Sequence, residues 1–173
     1  FTDAQLRELH DAGVRGTRFN FVAHLGGAPD LDEFWGTVHR VAERGWHIVL
    51  HFDAADIPDY VGLLDAMPCP YVIDHMGRVP VTAGLGQEPF ERLLELMADE
   101  RCWVKISGAE RLTAGGASPY DDVVPFARAL IDAAPDRVLW GTDWPHPNIK
   151  ADMPDDGELV DLLKIIAPDA DAL

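Results

Sequence analysis

Residues 46–78 read WHIVLHFDAADIPDYVGLLDAMPCPYVIDHMGR, and the alternation inside this stretch decides the fold class. Trp46–Phe52 is a short apolar run and predicts a strand. Ile57–Met67 predicts a helix, with Pro68 as its stop. Tyr71–Met76 predicts the next strand. Strand, helix and strand within about 30 residues is the βαβ unit, in which the two strands run parallel.

The same alternation continues on both sides. Upstream, Ala4–Ala12 carries Leu6 and Leu9 at helical spacing and is closed by Gly13. Val14–Phe21 then reads as a strand, and Leu31–Glu43 as a helix with Phe34, Val38 and Val41 on one face. Downstream, helix Pro89–Asp99 precedes strand Cys102–Ser107, helix Tyr120–Ala133 precedes strand Arg137–Thr142, and a last helix covers Gly157–Ile166. Strands alternating with helices predict a parallel α/β sheet, here in a single domain over residues 1–173.

Two architectures compete for that pattern. A doubly wound open sheet usually carries a glycine-rich phosphate loop after its first strand. The only approach to one, Gly84-Leu85-Gly86, lacks the third glycine and follows a loop, so it reads as a turn. A barrel gathers its functional groups at the C-terminal ends of its strands. Arg18, Asn20, His51, Asp53, Asp74, His75, Arg78, Ser107, Arg111 and Asp143 all fall there. A complete (β/α)8 barrel needs about 250 residues. Five strands in 173 residues therefore predict a TIM-type barrel that is incomplete, with the missing units upstream of Phe1.

The net charge is −16, which repels phosphate backbones and argues against nucleic acid as a partner. No apolar run approaches the ~18 residues of a membrane span, and no signal-peptide pattern is visible. Cys69 and Cys102 show no metal-knuckle or redox spacing and read as two reduced, packed thiols, which points to the cytoplasm. The oligomeric state is left open.

The chemistry concentrates at three strand ends. The strand Val138-Leu139-Trp140-Gly141-Thr142 stops at Asp143, after which Pro145 and Pro147 forbid ordinary continuation. Alone, that carboxylate divides evenly between a functional group, binding a metal or taking a proton from water, and a structural cap of the following turn. Strand alternation places Asp74 and His75 on opposite faces, so only one of them faces the lumen. It also puts His47, Val49 and His51 on one face. If the sheet closes, His51, His75 and Asp143 converge, and imidazole with carboxylate suits zinc or a similar divalent ion. Arg18, Arg78 and Arg111 around the same mouth suit a small anionic substrate, because guanidinium forks clamp carboxylates; pairing with the chain's own acids is the competing use. No Gly-x-Ser-x-Gly elbow or phosphate-binding P-loop is present.

Three stretches together, GVRGTRFNF at 13–21, DHMGR at 74–78 and WGTDWPHPN at 140–148, resemble the amidohydrolase-related hydrolases of the amidohydrolase superfamily. The resemblance covers nearly the whole chain and is strongest to the 2-pyrone-4,6-dicarboxylate lactonases and sulfomuconolactone hydrolases. It implies a distorted (β/α)8 barrel of which strands four to eight are present. It implies opening of a lactone or similar carboxyl derivative of an organic acid in aromatic catabolism. His51, His75 and Asp143 match the family's positions at strands five, six and eight, while its strand-one His-x-His matches nothing here. Asp143 matches the residue that takes a proton from water, with His75 beside it. Arg18, Arg78 and Arg111 match residues holding substrate carboxylates, and His24 stands near a further one. His51 replaces a tyrosine of the pyrone lactonases, which work without metal; this favours relatives using one divalent ion, zinc first, and leaves a metal-free route open. A metal-dependent decarboxylase of the same superfamily, or an inactive fragment, is the alternative.

Overall fold

A computed structural model describes residues 1–150 and 152–168. Its centre is one five-stranded sheet, β1 (Gly16–Asn20), β2 (His47–His51), β3 (Tyr71–Ile73), β4 (Cys102–Lys105) and β5 (Val138–Leu139). All neighbours pair in parallel, and the spatial order is β1-β2-β3-β4-β5. An order that never reverses has no switch point, so the sheet is singly wound, as in a barrel.

Between the strands run α1 (Asp3–Asp11), α2 (Leu31–Ala42), α3 (Ile57–Asp65), α4 (Glu88–Leu96), the short α5 (Ala109–Leu112), α6 (Val124–Ala133) and α7 (Asp156–Ile166). Local chemistry sets their starts. Thr2 and Gln5 form a reciprocal capping box on α1, Asp30 caps α2, and α3, α4 and α6 begin with proline in the first turn.

Strand alternation sorts the side chains. Ile48, Leu50, Tyr71, Ile73, Val104 and Ile106 join one core with Phe34, Val38, Phe90, Leu93 and Leu130 from the helices. Phe19 and Phe21 continue it, each edge-on to the Phe34 ring at 4.7 and 5.6 Å between centroids. Val49 and Val72, on the alternate positions, are buried but lie outside that core. The positions that alternate with the core set are therefore the lumen face, and they end in Asn20, His51, Asp74 and Ser107.

Three boundaries differ from expectation. β3 stops at Ile73 rather than Met76, because His75, Met76, Gly77 and Arg78 all have positive φ, near 50–59°. β5 pairs only over Val138–Leu139, and α6 starts at Val124 rather than Tyr120, whose own φ is 57°. Left-handed residues end regular structure whatever the hydrophobic pattern says. Cys69, just before β3, and Cys102, the first residue of β4, are free and buried. Among the described residues, no helix is long and apolar enough to cross a membrane.

Leu50→Ala is expected to destabilise the fold by about 2–5 kcal/mol, since Leu50 is fully buried between sheet and helices. Val160→Ala, on the exposed side of α7, should stay within about 0.5 kcal/mol. Urea unfolding of both variants checks the pair.

Candidate active site

A cavity of about 290 Å³ opens at the C-terminal strand ends. Its wall includes the seven residues given a catalytic, substrate-binding or metal-binding role above, Arg18, His24, His51, His75, Arg78, Arg111 and Asp143, but not Asn20, Asp53 or Ser107. Asp74 and Lys105 line it too. Lys105 was missed, although a signal existed. It alternates with Ser107 in an otherwise apolar strand, and so had to face the lumen.

The alternation rule fails at Asp74 and His75, and the expectation that only one of them faces the lumen is wrong. Both line the cavity. Asp74 points inward as the last extended residue, and the left-handed turn from His75 onward rolls the next side chain back to the same side. Such residues cost about 1–2 kcal/mol each, so the surroundings must enforce them. Gly77 sits where a Cβ would press on Ala54 and Leu93 at 3.3 and 3.4 Å. Gly108, with φ 79°, leaves room for the His75 ring, which a Cβ there would meet at 3.1 Å.

Each histidine has a defined hydrogen-bond partner. Asn20 donates through Nδ2 to the Val22 and Leu25 carbonyls, so its Oδ1 faces His51 Nδ1 at 3.0 Å. His51 therefore carries its proton on Nδ1, and Nε2, buried with no partner among the described residues, keeps its lone pair. Burial pushes the His51 pKa down from 6.5 to about 4, with help from Arg18 and His75. His75 Nδ1 lies 3.0 Å from Ser107 Oγ, and its Nε2 lies 3.6 Å from Asp143 Oδ1. Burial lowers its pKa as well, against the pull of Asp74 and Asp143. A neutral ring facing a carboxylate is best served by hydrogen on Nε2, with the Ser107 hydroxyl donating to Nδ1.

The charges pair closely. Asp74, almost fully buried, meets Arg18 Nε at 2.6 Å and Lys105 Nζ at 2.7 Å. Burial alone would raise its pKa, but the bonds from Lys105 and Arg18 outweigh that and hold the carboxyl below its ordinary value. Arg78 Nε meets Asp53 at 2.6 Å. Arg111 closes on Asp143 Oδ2 with Nε at 2.8 Å and Nη2 at 2.6 Å, and gives Nη1 to the Pro147 carbonyl at 2.8 Å. Asp143 itself has φ 63°. Four cationic side chains thus line the cavity against two carboxylates, in a chain of net charge −16.

The chain matches the family Amidohydrolase (Amidohydro_2) over residues 1–173. It belongs to the amidohydrolase family. It is 48% identical to a 2-pyrone-4,6-dicarboxylate hydrolase of Comamonas testosteroni over 98% of this chain and 58% of that protein. It is 43% identical to a 4-sulfomuconolactone hydrolase of Rhizobium radiobacter over 97% and 57%. The chain thus spans less than three-fifths of the length of these relatives. A solved structure from Pseudomonas putida, described as a candidate 2-pyrone-4,6-dicarboxylic acid hydrolase, superposes with a TM-score of 0.83 at 35% identity, over 99% of this chain and 63% of that one. The five β/α units are accordingly part of an amidohydrolase-type barrel. An amidohydrolase of Burkholderia multivorans with bound zinc shares the fold, at TM-score 0.71 and 22% identity over 97% and 64%.

Whether a metal suits these residues can be tested on the donors. His51 Nε2 has the lone pair a metal needs. Asp143, however, has one oxygen closed off by Arg111, and among the described residues no group of three or more His, Cys, Asp or Glu side chains is arranged to hold an ion. As arranged, the described residues do not fit a divalent ion.

Because the folded pKa of His51 lies below 6.5, the unfolded chain binds its proton first as pH falls. Stability should be full above about pH 6.5 and fall between there and about pH 4. His51→Gln should make thermal unfolding less pH-dependent across that window.

Proposed function

We propose that the protein opens a lactone of a small organic acid with more than one anionic group, using water and Asp143. The observation that carries this is the asymmetric hold on Asp143: Arg111 takes Oδ2, which leaves Oδ1 beside His75 in a cationic cavity. The lactones named for the relatives, 2-pyrone-4,6-dicarboxylate and 4-sulfomuconolactone, supply the substrate class.

In the proposed reaction Asp143 Oδ1 removes a proton from water, and the water oxygen bonds to the lactone carbonyl carbon. The carbonyl electron pair moves onto oxygen, where His75 Nε2–H donates a hydrogen bond. Neutral imidazole is the form the burial of His75 favours, so this proton is available as a donor at neutral pH. Collapse of the tetrahedral intermediate breaks the ring C–O bond. The departing oxygen takes the proton back from Asp143, giving a ring-opened acid of unchanged carbon count.

Arg18, Arg78 and Lys105 face the anionic groups of the substrate. Each is half-satisfied by Asp74 or Asp53, which keeps it in place while leaving donors free. His24, exposed on the turn Ala23–Leu25, stands at the rim. His51 offers its lone pair as an acceptor. No step is routed through a metal ion, since no group of three or more His, Cys, Asp or Glu side chains among the described residues is arranged to hold one.

Asp143→Asn in the whole protein should lower kcat for 2-pyrone-4,6-dicarboxylate by about 10²–10⁴-fold, the worth of a general base. Turnover within about threefold of wild type would remove Asp143 from the reaction. Arg78→Met should act mainly on KM, raising it about tenfold or more, as loss of a charge-assisted hydrogen bond does. Steady-state kinetics on the two variants separates the roles.

A further inference from the structure

Behind Arg111, away from the proposed reaction, lies a buried polar cluster. Glu110, one residue earlier on α5, is 2% exposed in its side chain, and neither carboxylate oxygen has a hydrogen-bond partner among the described residues. Its nearest cation is Arg111 Nε at 3.3 Å. His146 Nδ1 lies 3.8 Å from the same Glu110 oxygen, and His146 Nε2 lies 3.3 Å from Asp156 Oδ1, in the first turn of α7. His146 is itself buried, sits at φ 54°, and donates its backbone N–H to the Asp143 carbonyl at 2.8 Å.

A buried carboxylate without bonded partners is costly, and a fold tolerates it where its charge is used. Here the Arg111 guanidinium lies near two carboxylates, with Nε 2.8 Å from Asp143 Oδ2, which lines the cavity, and 3.3 Å from Glu110 Oε1, which does not. Its remaining contact, to the Pro147 carbonyl, belongs to the same loop that carries Asp143 and His146. Every nitrogen of Arg111 is therefore directed at this loop or at Glu110, and the anchor of Asp143 depends on what holds Arg111.

We infer that Glu110, backed by His146, is a positioning residue: its buried carboxylate fixes Arg111, and Arg111 in turn presents Oδ1 of Asp143 to the cavity. This rests on the hydrolytic reading above. Burial, and then the nearby Asp143, raise the Glu110 carboxyl above its ordinary value, while its own backbone N–H, Arg111 and His146 hold that rise back.

The test uses the whole protein with 2-pyrone-4,6-dicarboxylate as substrate. Glu110→Gln keeps the shape and removes the charge. It should lower kcat about 10- to 100-fold, the cost of a slightly misplaced reacting group, with KM changed less than about twofold. In an Arg111→Lys background, adding Glu110→Gln should lower kcat no further, because the path through Arg111 is already cut. Unchanged kcat in Glu110→Gln, or an independent loss in the double variant, overturns the inference. The Arg111 Nε–H resonance, assigned by its loss in Arg111→Lys, provides a readout free of activity. It should be protected from solvent exchange in wild type and exchange faster in Glu110→Gln; equal exchange in both overturns the inference. If wild type fails to open the lactone, the proposed reaction falls, and the resonance alone decides the role of Glu110.

Discussion

Two nitrogens of Arg111 close on one oxygen of Asp143, at 2.8 and 2.6 Å. That contact ties the short helix after β4 to the loop after β5, two segments that no strand ladder joins at this level. It occupies one carboxylate oxygen and leaves the other beside His75. The sharp backbone at Asp143, and the turn closed by His146 donating to the Asp143 carbonyl, hold the carboxylate at the cavity wall instead of letting the strand run on. The proposed role of Asp143 Oδ1 toward water follows from which oxygen is taken.

Charge is arranged against the background of the whole molecule. An anion approaching a chain of net charge −16 meets an unfavourable field at long range. Within the cavity the balance reverses, and solution ions screen the distant acids within about 10 Å at ordinary salt. Asp74 and Asp53 do not cancel this local excess. They hold Arg18, Lys105 and Arg78 by part of their donors, so that little ordering remains when a carboxylate arrives.

Much of this was legible in the sequence. Regular βα alternation gave the parallel order, and polar residues at strand ends gave the cavity wall. Alternation in Trp103–Ser107 would also have given Lys105. What pattern could not supply was the backbone after Asp74. A run of left-handed residues at His75, Met76 and Arg78 contradicts the propensity of each, and Gly77 is its only local hint. The rule that placed Asp74 and His75 on opposite faces assumed a strand that had already ended. Glu110 was invisible for a different reason: an acid next to an arginine reads as solvated surface, and its 2% side-chain exposure beside His146 of the 143–148 loop is set by tertiary packing.

The central claim is that Asp143 activates water and does not attack the substrate itself. A single turnover in H₂¹⁸O, with the whole protein in excess over 2-pyrone-4,6-dicarboxylate, separates the two routes by mass spectrometry. The account predicts one ¹⁸O in the carboxylate of the ring-opened product and none in the peptide carrying Asp143. Label in the Asp143 side chain, with product first released unlabelled, would contradict it.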